Sequence, residues 1–318
     1  MASAWPRGRD PRGRDVDFRQ LEMFGAVAEE GTFTKAAERL HVSQSAISRQ
    51  VKLLEEELGG SLLHRGPKRV ALTQQGELLL KMVHRIQRDM QDVVAQISDT
   101  HTLNRGSLSV AGGMTVCLYI FPRLLKKFRS LYPQIDLRVA SGASENIQRQ
   151  LRSAELDLAL LTLPIVARDL EVLPVLKEEM VVVTAPGHPL SRERTVEPLS
   201  LAKYPLILYE TGSNSRRVLD EFFLEAQIPV VIAMETENVE IIKAMVGNGL
   251  GVSIIPFAAV AKDVRGKRLA YARVKGRKLY RETGWVYLKS EYVPRTITEM
   301  IRVFDQMKDQ FGGRPPVV

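Results

Sequence analysis

The chain has 318 residues, 45% of them hydrophobic and 26% charged, a length that suits two or three domains better than one core. No apolar run approaches the ~20 residues of a membrane-spanning helix. The basic N-terminus lacks the apolar stretch of a secretion signal, and the single cysteine, Cys117, excludes an internal disulfide and fits a reducing cytoplasm. The net charge of +8 invites a nucleic-acid partner, but residues 1–100 hold 15 Lys and Arg against 14 Asp and Glu, while residues 262–289 hold 10 against 2. The basic stretch reads as a solvated surface, so local geometry has to carry any DNA argument.

Residues 1–15 repeat Pro-Arg-Gly-Arg-Asp twice, a composition that predicts a disordered basic tail. A first helix is predicted after Asp17, with Gln20 as capping-box partner, Phe18, Leu21, Phe24 and Ala28 as buried face, and Gly31 as its stop. A second helix covers about 34–40 and a third about 44–57, the latter capped by Ser43. Only His41-Val42-Ser43 separates these two, which is the tight turn of a helix-turn-helix. Residues 62–72 read as a hairpin turning at Gly66-Pro67-Lys68, which makes a wing.

Thr73 caps a long helix predicted from about 74 to 102. Its apolar residues Leu79, Val83, Ile86, Met90, Val93 and Ile97 recur at spacings of 4, 3, 4, 3 and 4, a heptad seam. The narrow stripe favours a coiled coil between two protomers over an intramolecular core helix. Beyond Gly106, strand-like runs (107–112, 135–140, 157–161, 180–185, 206–209, 230–235, 251–255) alternate with helical stretches (116–131, 145–153, 214–226, 239–247), which implies an α/β domain with a parallel sheet. A last helix, about 294–311, precedes a tail expected to fray at 312–316.

Within residues 32–58, TFTKAAERLHVSQSAISRQVKLLEEEL, small Ala36 and Ala37 allow two helices to approach closely, and Ile47, Val51, Leu54 and Leu58 make one buried face. The opposite face of the third helix carries Gln44, Ser45, Ser48, Arg49 and Lys52, with no acid until Glu55. Short hydrogen bonders and cations near a helix N-terminus suit a major groove, where Arg pairs with guanine and Gln with adenine. Arg65, Lys68 and Arg69 on the wing are placed to track phosphates.

The strings FRQLEMFGAVAEEGTFTKAAERLHVSQSAISRQVKLLEEELGGSLLHR and KRVALTQQGELLL resemble the N-terminal domain of the LysR-type transcriptional regulators over residues 17–103, and a less specific likeness runs to about 310. The resemblance implies a winged helix-turn-helix, a linker helix that dimerises, and a two-lobed α/β effector domain related to periplasmic binding proteins. On that pattern 1–15 is a tail, 16–73 the DNA-binding domain, 74–103 the linker and dimerisation helix, and 107–311 the effector-binding domain. Its first lobe is 107–184 with 280–311, and its second is 185–279. Base or backbone contacts fall on Gln44, Ser45, Ser48, Arg49 and Lys52, with the wing at Lys68 and Arg69. Ser45 stands where the family also uses proline, Leu63 where it uses phenylalanine, and the wing is less arginine-rich than usual. The implied partners are double-stranded promoter DNA, a small anionic effector and a second copy of the chain. Tetramers follow from the family, with RNA polymerase as a further candidate partner, and no cofactor or metal is implied.

Four strand-to-helix junctions combine small or hydroxylated residues with free backbone N–H groups, the chemistry of anion sites. These are Gly112–Thr115, Ser141–Ser144, Thr211–Ser215 and Thr236–Asn238. Each is also an ordinary helix cap; the family resemblance makes them converge on a cleft between lobes, with Thr115, Ser141, Ser144, Ser213 and Asn238 as pocket residues. Glu210 and Glu237 either oppose an anion or bind a ligand amine. No CxxC, HExxH, P-loop or GxSxG motif supports an enzyme, and a solute receptor for transport is opposed by the missing export signal and the attached helix-turn-helix. Cys117, just inside a helix N-terminus, is a site of thiol acidification on one reading and a small buried filler on the favoured one.

Overall fold

The computed structural model describes residues 16–66, 69–97, 106–290 and 292–311, with the backbone alone at 65, 88–89 and 91–97. The tail 1–15, the wing residue Lys68, the end of the linker helix and the tail 312–316 lie outside the described residues, as do the side chains of Arg65, Val93 and Ile97. The chain divides into two compact units at Asp99 and Thr100.

The first unit contains α1 (Phe18–Glu30), α2 (Phe33–Leu40), α3 (Gln44–Leu58), β1 (Leu63–Arg65), β2 (Val70–Leu72) and α4 (Gln74–Ile97). Asp17 and Gln20 form the expected capping box, and α1 ends at Gly31, whose φ of 68° favours glycine. Phe18 is an exception to the predicted face: it is exposed, and the buried side of α1 begins at Gln20 and Leu21. Thr73 Oγ1 accepts from Gly76 N at 3.0 Å, capping α4 as expected. The core joins Leu21, Phe24, Val27, Ala36, Ala37, Ile47, Val51, Leu54, Leu62, Leu63 and Val83.

Val83 belongs to α4, so the heptad stripe meets its own chain first. Val83 is 1% exposed, and a Cβ built on Gly25 of α1 would stand 3.1 Å from its Cγ1. Glycine therefore lets the two helices touch. Leu79 and Ile86 pack on the same core. The seam reading assigns these three residues to a partner helix; Val83 is instead buried within its own unit against Gly25 of α1, while Leu79 and Ile86 are only half-buried there. Among the described side chains of α4, the apolar ones left exposed are Leu78, Met82 and Met90.

The second unit contains β3 (Gly106–Gly112), α5 (Met114–Tyr119), α6 (Phe121–Leu131), β4 (Ile135–Ser141), α7 (Ser144–Arg152), β5 (Leu158–Thr162) and β6 (Leu170–Thr184). It continues through β7 (Thr195–Val196), β8 (Pro205–Leu208), α8 (Asn214–Glu225), β9 (Val231–Glu235), α9 (Val239–Gly247), β10 (Ser253–Pro256) and α10 (Phe257–Arg265). β11 (Ala270–Val274), β12 (Leu279–Leu288) and α11 (Arg295–Met307) complete it. The predicted helix 116–131 is broken at Ile120 into α5 and α6.

The sheet is mixed, not parallel. β3 pairs in parallel with β4 and β5, but β12 runs antiparallel to β5 and β6, and β10 and β11 run antiparallel to β6. The strand order is β4-β3-β5-β12-β6-β11-β7, and β8 pairs separately with β9 in parallel. The long strands β6 and β12 pass through both lobes. Leu176 belongs to the core of the first lobe with Leu108, Phe128, Trp285 and Phe304. Met180 belongs to that of the second with Leu206, Phe222, Ile242 and Leu279. The lobes thus meet inside β6, between Leu176 and Met180, and not at its end as expected, because one strand buries apolar side chains in both.

Candidate nucleic-acid interface and candidate effector cavity

The turn between α2 and α3 is closed by His41, held at φ 54° with its N–H on Ala37 and Glu38 carbonyls, and by Ser43, whose Oγ accepts from Ala46 N at 3.2 Å. Ala36, Ala37, Ile47, Val51 and Leu54 face inward. Gln44, Ser45, Arg49 and Lys52 are exposed and Ser48 half-exposed, so all five predicted positions share one outer edge. The first acid on α3 is turned away from it: Glu55 Oε1 accepts from Leu62 N at 2.8 Å and Leu63 N at 3.2 Å, anchoring the start of the wing. Lys52 makes an exposed pair with Glu56 at 3.6 Å, worth little in water. The wing pairs Leu63 with Leu72 and Arg65 with Val70, and Val70 N donates to Gly31 O at 2.9 Å, which fixes the hairpin to the α1–α2 turn. Arg69 is exposed on it.

In the second unit a cavity of about 300 Å³ opens where the lobes meet, within the range of small-molecule sites. Thr115, Ser144 and Ser213 line it, together with Thr162, Tyr209, Ser215, Glu145, Glu210, Glu237 and Arg281. Ser141 and Asn238 do not. Ser141 is the last residue of β4, paired with Gly112, and the Asn238 amide oxygen is engaged as the cap of α9, accepting from Glu240 N at 2.9 Å. Ser213 also caps its helix, accepting from Arg216 N at 3.1 Å. Asn214 Nδ2 donates to Thr162 O at 2.6 Å and so ties the second lobe to the first across the cavity wall.

Arg281 was hidden by its neighbours in the sequence. It lies in the basic stretch read as a solvated surface, yet it is 2% exposed. Its Nη2 and Nε lie 2.6 and 3.1 Å from Glu178 Oε2, which also accepts from Thr283 Oγ1 at 3.2 Å. Nη1 donates to Ser215 Oγ at 3.3 Å. Burial works against the guanidinium's charge, and Glu178 more than restores it. The signal was alternation: Leu279, Arg281, Thr283 and Trp285 are all buried on one face of β12. Tyr209, 3% exposed, brings a hydroxyl near Thr115 that makes no hydrogen bond of ordinary geometry, and burial pushes its pKa up to about 12.

Cys117 is half-buried, and its thiol faces the Gly112 carbonyl at 3.4 Å and that of Ala140 at 3.6 Å. Burial raises its pKa, which opposes the acidified-thiol reading. Among the described residues no helix is long and apolar enough to cross a membrane, and no group of three His, Cys, Asp or Glu side chains could hold a metal ion.

A winged helix-turn-helix whose third helix carries no acid from Gln44 to Leu54, on the same chain as a two-lobed α/β unit with a polar cavity, defines a ligand-responsive DNA-binding regulator. Residues 18–77 match the family described as bacterial regulatory helix-turn-helix protein, lysR family, and residues 101–308 match the LysR substrate binding domain. The RuBisCO operon transcriptional regulator of Allochromatium vinosum is 33% identical over 261 residues, 82% of this chain and 86% of that protein. The HTH-type transcriptional activator CmpR of Synechocystis sp. is 32% identical over 278 residues, 87% of this chain and 91% of that one. Among solved structures, a full-length OxyR from Pseudomonas aeruginosa matches with a TM-score of 0.72 at 27% identity, over 90% of this chain and 94% of the other. CbnR in complex with its target DNA matches with a TM-score of 0.64 at 25% identity, over 91% and 99%. The chain belongs to the LysR family of transcriptional regulators. It is a regulator with a DNA-binding helix-turn-helix and an effector-binding domain, not an enzyme.

Proposed function

We propose that the chain reads promoter sequence with Gln44, Ser45, Ser48, Arg49 and Lys52, holds the backbone with Arg65, Lys68 and Arg69, and answers to a small acid bound between the lobes against Thr115, Ser144 and Ser213. The observation that carries the DNA half is the outer edge of α3, with Glu55 drawn off it onto the wing. CbnR, a similar protein, is solved on its target DNA. For the effector half, the support is a cavity with two helix starts and a buried guanidinium on its wall. A ligand touching both lobes would favour their closure by its differential contacts. We further infer that the regulator acts in the cytoplasm as a homodimer joined along α4, through Leu78, Met82 and Met90 and the later seam positions 93 and 97. Dimers of such dimers and a contact with RNA polymerase complete the reading. A dimer implies two related half-sites.

Fluorescence anisotropy with the intergenic DNA upstream of the gene, against a scrambled duplex at the same salt, tests this. Arg49→Ala is expected to lose about 1–3 kcal/mol on the specific duplex alone, as for a bidentate base contact. An equal loss on both duplexes would make Arg49 a phosphate anchor, and no preference in the unaltered chain would remove the promoter-reading function.

A further inference from the structure

The acidic and basic side chains on the cavity wall are Glu145, Glu210, Glu237 and Arg281. The arginine is already matched by Glu178, itself 3% exposed. The three glutamates are exposed, and none makes an ion pair with a described residue. No lysine or histidine lines the cavity. A ligand that is only an anion would therefore enter a space with three uncompensated carboxylates and no spare cation, and like charges repel most where water is displaced. The carboxylates do not form a metal site, since no three acidic or histidine groups among the described residues are close enough to hold an ion.

The same wall also carries anion-binding chemistry. The first turns of α7 and α8 open on it with Ser144, Ser213 and Ser215, and N–H groups at helix starts suit an acid group. Ser215 is bound to Arg281, and the buried Tyr209 hydroxyl, beside Thr115, makes no hydrogen bond of ordinary geometry. Both kinds of recognition are thus built into one cavity.

We propose that the effector is a small acid that also bears a protonated amine; this rests on the reading of the cavity as the effector site. The acid group sits at the start of α8 beside Ser215 and the Arg281–Glu178 pair, and the ammonium lies among Glu210 and Glu237 of the second lobe and Glu145 of the first. Without the amine, carboxylates on opposite lobes resist closure; with it, one cation attracts both sides. The glutamates then act as a selectivity filter against nitrogen-free acids and as part of the switch.

The test is calorimetric titration of the full chain at fixed pH and salt with three sets of compounds: the L-amino acids including lysine and ornithine, their 2-hydroxy acid counterparts, and phosphorylated sugars without nitrogen. At least one amino acid is expected to bind, with its hydroxy counterpart ten-fold weaker or worse. The Glu210→Gln, Glu237→Gln double variant is expected to abolish that ratio while keeping the melting temperature of the ligand-free protein. A nitrogen-free acid binding as well as the best amino acid would overturn the amine requirement and leave the cavity's role as effector site standing. Binding by none of the three sets would overturn both.

Discussion

Glu55 shows how a single side chain on α3 can be committed to the wing. A carboxylate among Gln44, Ser45, Ser48, Arg49 and Lys52 would repel phosphates, and here Glu55 accepts two backbone N–H groups from the start of the wing, so it serves the fold and is held off that edge, while Glu56, one turn beyond Lys52, pairs with that lysine. His188 is a second residue with a defined task. Its Nδ1 accepts from Leu190 N at 3.2 Å, the ring packs edge-on to Tyr204, and burial holds its pKa below the usual histidine value. The unfolded chain therefore takes up this proton first as pH falls through about 6.5. Stability is lost below that pH until the folded imidazole titrates too. Urea midpoints between pH 7.5 and 5 are expected to fall more for the native chain than for His188→Asn, which keeps an acceptor without the titration. Identical pH dependence in both would show that His188 contributes nothing to it.

At the scale of elements, α4 shows what periodicity can and cannot decide. The stripe Leu79, Val83, Ile86 is legible as an apolar face, but a heptad spacing does not say which chain covers it, and at Val83 it is α1 of the same chain, across Gly25. The helix-turn-helix and wing were legible almost to the residue because caps and glycines mark their ends: Asp17, Ser43, Thr73 and Gly31 all act as read. β12 was not, since its charged flanks masked the alternation that buries Leu279, Arg281, Thr283 and Trp285. Of the expected pocket residues, Thr115, Ser144 and Ser213 line the cavity, whereas Asn238 is spent on its own helix; a cap and a ligand contact use the same residue types. Two substitutions on α4 have opposite expected outcomes. Val83→Asp is expected to unfold the first unit, since burying a lone carboxylate there is severely unfavourable, and its helical signal should melt early. Met82→Asp, on an exposed side chain, is expected to leave that unit folded and convert dimer to monomer by light scattering. A Met82→Asp protein that remains dimeric would rule out pairing through this face.

On the scale of the whole molecule, charge and function are placed separately. The chain's excess of +8 lies in residues 262–289, where Arg281 and Arg273 are taken up by Glu178 and Glu179, while residues 1–100 are almost neutral overall, so the proposed promoter reading rests on the arrangement of a few side chains. Specificity carried by geometry in this way predicts base contacts from one helix edge, not a diffuse attraction to phosphates. A single-cysteine protein makes this measurable, because Cys117→Ser with Ser45→Cys leaves one thiol, on the outer edge of α3, to carry a photocrosslinker. On the upstream duplex the account predicts crosslinks to a few bases in the major groove of each half-site. Undiminished binding with no crosslink from residue 45 would contradict it.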